Sequence, residues 1–154
     1  MISKSIARSA LRFIYCKNSM YINGYTNQLQ PMEISTIEHV VPKCYLPSSK
    51  KWDLHNLLLI DYELNHSRGN TKLGRQTIEG VSFCPIFPES RGMVARKCAH
   101  MISNNSDYIK DNDLIIENKV LEKWMDMYPV TDLEKISNEI IYDIQGDFNK
   151  FISE

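Results

Sequence analysis

The sequence predicts an α+β fold, and three observations carry that prediction. Short apolar runs of strand length occur at residues 34–41 and 57–60, each bounded by turn-forming or helix-capping residues. Apolar residues recur at helical spacing in the second half, at Val94, Cys98, Met101 and Ile102. Thr131 and Glu134 stand in the T-x-x-E relation of a capping box ahead of a further apolar-spaced run. A chain of 154 residues with 43% apolar and 10% aromatic content suits one globular domain and is too apolar for a disordered one. No run reaches about 18 apolar residues, so no membrane span is expected.

In chain order, residues 1–32 contain four cations, Lys4, Arg8, Arg12 and Lys17, and no acid. Transit peptides share that composition, yet "RSALRFIY" has no continuous apolar core for secretion. These residues are expected to be a basic N-terminal arm, either part of the domain or a targeting segment. An intracellular location is favoured, and the main domain runs over 33–154. Residues 34–41 form a strand ending at Pro42, which cannot donate to a ladder and restricts the residue before it. "KCYLPSSKKW" is a polar loop with Pro47, Ser48 and Ser49 as turn formers. Residues 57–60 make the second strand. Asp61 caps a short helix with Leu64 as its apolar contact, and Gly69 ends it, completing a ββα unit. Residues 70–88 are irregular, broken by Gly74, Gly80, Pro85 and Pro88. Helices follow from near Glu89 or Ser90, over residues 114–127 with Pro129 beyond, and from Thr131. In the last, Leu133, Ile136, Ile140 and Ile144 share one apolar face, and Gly146 takes the C-terminal glycine position.

The net charge of −1 is unevenly spread. Residues 1–100 carry 13 Lys/Arg against 7 Asp/Glu, while residues 101–154 carry 5 against 12. A basic front and an acidic tail suit a polyanion-binding face with a solvated back. The four cysteines, Cys16, Cys44, Cys84 and Cys98, contain no C-x-x-C pair, which argues against a zinc ribbon; their number permits two disulfides without requiring them.

Within the ββα unit lie Glu38-His39, "DLHN" at residues 53–56, Asn65 and Arg68. Phosphodiester hydrolysis needs a deprotonated water, neutralisation at the phosphate and help for the leaving oxygen. An imidazole with pKa near ~6.5 can be the base at neutral pH. General-base catalysis contributes roughly 10²–10⁴-fold, whereas enzyme accelerations reach roughly 10¹⁷, so most of the effect has to come from charge. A divalent metal is therefore expected, and a carboxylate with an amide carbonyl suits Mg²⁺. Glu38 and Asn65 are the candidate ligands. Strand neighbours point to opposite faces, so Glu38 and His39 share a site only where the strand ends or twists.

"IEHVVP", "DLHNLLLIDYELNHSRGN", "ESRGMVARKCAHM" and "WMDMYPVTDLEKISNEIIYDIQGDFNKF" occur in the order characteristic of the endonuclease I family of bacterial nucleases. The chain resembles that family over roughly residues 33–151. The resemblance implies a ββα-metal (His-Me finger) nuclease, related in active-site design to HNH enzymes, with the finger packed against several helices. His39 then matches the general base, and Glu38 and Asn65 match the ligands of a single Mg²⁺, with Mn²⁺ or Ca²⁺ as alternatives. Asn56 matches the asparagine that ties the loop between the strands. The implied activity is cleavage of DNA, often RNA too, with little sequence preference and 5′-phosphate ends. Some positions depart from the family pattern. No arginine clearly matches the one that holds the cleaved phosphate, so Lys50, Lys51 and Arg68 are the candidates. Met93 stands where aspartate is expected, and "QGDFNKF" replaces Q-G-N-R-N-P-F.

Other assignments stand beside these. Asn65 as a turn residue leaves His66 as a ligand; Arg68 can pair with Asp61 or Glu63 instead of phosphate. Lys43, Lys72 and Arg75 are candidates for unspecific phosphate contact. Arg91 and Arg96 are expected to tie helices together, His55 and His100 to be structural or exposed, and Trp52 and Trp124 to pack. Two further function classes are a non-catalytic nucleic-acid-binding protein that keeps the fold and an HNH-like nuclease acting on junctions.

Overall fold

The computed structural model describes residues 1–75 and 82–152; Gly80 lies outside them. The architecture is mixed, with two small antiparallel sheets in the first half and helices dominating the second.

Helix α1 (Lys4–Tyr15) starts at Ser3, whose hydroxyl accepts from the Ile6 N–H, and buries Ala7, Ala10, Leu11 and Tyr15 at helical spacing. Strands β1 (Cys16–Lys17), β2 (Met20–Ile22) and β3 (Leu29–Pro31) follow as an antiparallel sheet. The β1–β2 turn places Asn18 and Ser19 at φ 54° and 63°, the double positive φ that a two-residue hairpin turn demands. Residues 1–32 are thus folded structure, and Ala7, Leu11, Tyr21 and Tyr25 share one core with Leu57, Leu58 and Ile60.

Strand β4 (Ser35–His39) pairs antiparallel with β5 (Leu57–Asp61), with Glu38 opposite Leu58 and His39 opposite Leu57. The ladder stops two residues earlier than expected because Asn56 intervenes. Its carbonyl accepts from Val40 N–H at 3.0 Å and its Oδ1 from Val41 N–H at 2.8 Å, so both valines are buried outside the strand. The connection is packed rather than loose, with short 3₁₀ turns at Lys43–Tyr45, Ser48–Lys50 and Leu54–Asn56. Helix α2 (Tyr62–Arg68) begins where Asp61 Oδ2 accepts from Leu64 N–H at 2.9 Å and ends at Gly69, φ 52°.

Helices α3 (Pro88–Asn104), α4 (Asn118–Met127) and α5 (Asp132–Gln145) form the scaffold. Helix α4 is shorter than the expected 114–127, since Asn112–Leu114 makes its own 3₁₀ turn capped by Asp111. The α3–α4 contact is close at Gly92, where an added Cβ would sit 2.5 Å from the Tyr128 carbonyl oxygen. Arg96 ties all three helices: Nε and Nη2 reach Glu134 at 2.6 and 2.9 Å, and Nη1 reaches Tyr128 O at 2.7 Å. Arg91 likewise bonds Pro85 O and Tyr128 Oη.

Thr131 and Glu134 form the capping box and Gly146 adopts the left-handed conformation, as expected. The inward face of α5 differs from expectation. Glu134, Ser137, Asn138 and Ile141 are buried, whereas Ile136 is 55% exposed. Polar residues face inward because each has a buried partner: Arg96 for Glu134, the Leu133 carbonyl for Ser137, and Asn149 for Asn138. All four cysteines are free thiols. Among the described residues no helix is long and apolar enough to cross a membrane.

Candidate active site

The end of β4 opens onto a cavity of about 330 Å³ lined by Glu38, His39 and Asn65 together with Lys4, Arg8, Lys43 and Trp52. Because β4 stops at His39, the adjacent acid and imidazole border one space despite the alternation of strand side chains.

His39 Nε2 lies 2.9 Å from the Lys51 carbonyl oxygen. A carbonyl only accepts, so Nε2 carries the proton and Nδ1 the lone pair. Burial pushes the imidazole pKa down to about 4; the Lys51 carbonyl opposes this, and the Lys43 and Lys51 charges reinforce it. The ring is therefore neutral at physiological pH. Trp52 packs beside it with centroids 5.2 Å apart, and Lys51 Nζ stands 5.3 Å from the Trp52 ring centroid.

Glu38 is 3% exposed. Its Oε2 accepts from Tyr25 Oη at 2.8 Å and from Arg68 Nη1 at 3.2 Å. Burial pushes the carboxyl pKa up, and Arg68 and the Tyr25 bond pull it back. Oε1 is the oxygen that neither Tyr25 nor Arg68 engages. Asn65 Nδ2 donates to Ile37 O at 3.1 Å, which fixes the amide orientation and turns Oδ1 the other way. A carboxylate and an amide that line one space are the hard-oxygen donor types that Mg²⁺ takes. The fit is weakened by Arg68, which already balances the Glu38 charge.

Arg68 itself corrects the sequence expectation. It pairs with neither Asp61 nor Glu63 and does not face the cavity. It is 2% exposed and spends its donors on Glu38 and on the carbonyls of Thr71, His39 and Val40 at 3.1, 2.9 and 2.9 Å. The carbonyls of His39, the last residue of β4, and of Val40 just beyond it lie where the ladder ends, and the guanidinium fork supplies them with donors. Lys50 lines a different cavity, beside Asp53 and Asp147. Lys51 enters the site through its carbonyl and through Trp52. Lys72 is paired with Glu117 at 3.0 Å, and His66 is exposed and absent from the cavity wall.

Asn56, fully buried, accepts from Val41 N–H and donates to Val41 O at 2.9 Å, a two-point tie between the ends of the 42–56 connection. Sequence reasoning missed Lys4 and Arg8 as part of this wall. Their i, i+4 spacing puts them one turn apart on α1, but nothing local says which surface the helix meets. Tyr25, 13 residues upstream of its partner Glu38, carries no motif at all. His55 and His100 are both buried, 1% and 2% exposed. No protein-family model matches the chain.

Proposed function

We propose that the chain is a Mg²⁺-dependent endonuclease of the ββα-metal finger design, similar to the endonuclease I family, hydrolysing phosphodiester bonds of DNA with little sequence preference. The observation that carries this reading is the His39 imidazole. It is neutral, has its Nε2 proton committed to the Lys51 carbonyl, and borders a cavity shared with Glu38, Asn65 and three cations.

In this mechanism Nδ1 of His39 takes a proton from the attacking water, and the Lys51 carbonyl steadies the imidazolium that results. Asn56, by tying Val41 to the end of the connection, keeps the base and that carbonyl in register. Lys4, Arg8 and Lys43 draw the phosphodiester in and offset its charge. They take the role expected of Lys50, Lys51 and Arg68. Glu38 and Asn65 would hold the cation, which supplies charge stabilisation at the phosphate and the departing oxygen. Tyr25 and Arg68 fix the Glu38 carboxylate in position.

Plasmid nicking is the test. Mg²⁺ should support nicking, EDTA should stop it, and Glu38→Gln and Asn65→Ala should each raise the Mg²⁺ concentration needed. Nicking that survives EDTA, or stays equal in wild type and His39→Ala, overturns the reading. A second reading, a nucleic-acid-binding protein without turnover, draws on the Arg68–Glu38 pair, which lessens the pull on a cation. DNA retention without metal-stimulated nicking would favour it, and strong preference for four-way junctions would favour a structure-specific nuclease.

A further inference from the structure

Outside the wall of the His39 cavity, three potential metal ligands from three distant parts of the chain converge. His55 comes from the 3₁₀ turn Leu54–Asn56, His100 from α3, and Asp147 from the segment just after α5. We propose that His55, His100 and Asp147 form a binding site for a transition-metal dication of the Zn²⁺ class, separate from the Mg²⁺ site and independent of the nuclease reading.

The donor geometry suits such an ion. His55 Nε2 stands 3.5 Å from Asp147 Oδ1, His100 Nε2 stands 3.6 Å from Asp147 Oδ2, and one ligand atom from each residue lies within 4.8 Å of the others. A tetrahedral site with bonds of about 2.0–2.1 Å separates neighbouring donors by roughly 3.4 Å, so the carboxylate distances are close to bonding positions. The imidazoles then close inward by a small movement. Two imidazole nitrogens with one carboxylate is a borderline-soft donor set that Zn²⁺ prefers and Mg²⁺ does not.

The surroundings agree. Both rings are buried and meet at a tilt of 58° with centroids 4.5 Å apart. Asp147 is held from behind: Gln145 Nε2 donates to Asp147 Oδ1 at 2.8 Å and to Asp53 Oδ1 at 2.9 Å. Orienting bonds of this kind are what metal-ligating carboxylates receive. Asn104 Nδ2 approaches the His100 ring at 3.1 Å from Nε2, so it competes for the His100 lone pair and moves aside on binding. His55 Nε2 lies 3.0 Å from the Asp147 carbonyl, so on binding the neutral ring shifts its proton from Nε2 to Nδ1 by exchange with solvent, and Nε2 is freed to ligate. Asp53 and Asp147 outweigh Lys97 in charge, which favours a dication. Asp147 also lines a cavity of about 440 Å³ with Asp53 and Gln145, giving the ion an entry path. A bound ion would staple α3 and the C-terminal segment to the connection that presents the Lys51 carbonyl.

The full chain, stripped with chelator and dialysed, is titrated with Co²⁺ and then Zn²⁺. One equivalent of Co²⁺ should give the visible absorption of a tetrahedral N/O site and be displaced by Zn²⁺, and Tm should rise by roughly 5–10 °C at a hundredfold excess over Kd. His100→Gln should abolish the spectrum. Asp147→Asn, at a half-exposed position that folding tolerates, should weaken Co²⁺ binding at least tenfold with unchanged circular dichroism. Glu38→Gln should leave the spectrum intact, which separates this site from the other. Absence of a Co²⁺ spectrum in the wild type, or one indifferent to Asp147→Asn, overturns the proposal.

Discussion

Two histidine sites flank residues 51–56, and they have opposite electrical character. Around His39 stand Lys4, Arg8, Lys43 and Lys51. Around His55 and His100 stand Asp53 and Asp147, opposed by Lys97. Burial does the same thing to the rings in both places, lowering His39 and His100 each to about 4. A neutral imidazole is therefore common ground, and its neighbours decide its use. In the proposed roles, the cations would collect a phosphate and leave the ring as a base, whereas the carboxylates would collect a dication and make the ring a ligand. The two carboxylates differ as well. Glu38 is buried with its guanidinium, while the Asp147 side chain is 44% exposed and tied to an amide.

The largest expected effect separates the two histidine roles. His39→Ala should cut nicking by roughly 10²–10⁴-fold, the usual contribution of a general base, while leaving Co²⁺ binding unchanged. If both fall together, the variant has disturbed the shared connection and the separation is false. Next is the Glu38–Arg68 pair. Arg68→Met strands a buried carboxylate and should destabilise the fold by about 3–5 kcal/mol in urea titration, with Glu38→Gln in the same chain restoring much of it. A cost below about 1 kcal/mol would show that Glu38 is not held as a buried charge.

The pH response follows in size. A base with ordinary pKa near ~6.5 predicts activity declining below about pH 6, with a loss of about 30-fold by pH 5. Burial of His39 moves that acid limb toward pH 4, so activity should stay within about twofold between pH 7 and pH 5. A cation on Glu38 pushes the same way. Fold stability has the opposite weakness. The unfolded histidines take up protons at their normal pKa and the folded ones do not. Stability is therefore full above about pH 6.5 and falls as pH drops toward the folded values. A steep activity loss at pH 6, with the protein still folded by circular dichroism, would move the base away from His39.

The same contrast explains what the sequence disclosed. The β4–β5–α2 unit was legible because its signals are local: Pro42 marks the end of the extended run to within a few residues, Asp61 caps a helix and Gly69 ends it. The capping box and Gly146 fixed α5 for the same reason. Helix α1 was hidden, since a basic, acid-free opening looks like an arm until Ala7 and Leu11 find Leu57 and Ile60 across the core. Strands of two or three residues are too short to show alternation. The inward face of α5 was misread because its buried residues are polar and satisfied by partners far along the chain, Arg96 and Asn149. At the site, side chains with a local motif were identified, whereas the Lys51 carbonyl, Tyr25 and the α1 cations depend on tertiary closure.

The smallest expected effect tests whether α1 belongs to the cationic site at all. Lys4 and Arg8 are exposed, one turn apart, and line the cavity with His39, so each should contribute one phosphate contact. Releasing one counterion fewer lowers the slope of log K against log salt by about 0.9. Arg8→Ala should therefore flatten that slope by about 1, with an affinity loss of several-fold at low salt that shrinks as salt rises. Binding is measured on short duplex DNA in EDTA to suppress turnover. Lys150→Ala is the matched control, an exposed cation in the acidic C-terminal segment that lines no wall of this cavity, and its slope should stay at the wild-type value. Equal slopes for Arg8→Ala and wild type would mean that α1 only packs against the core. The phosphate path would then be left to Lys43 and to residues outside the cavity.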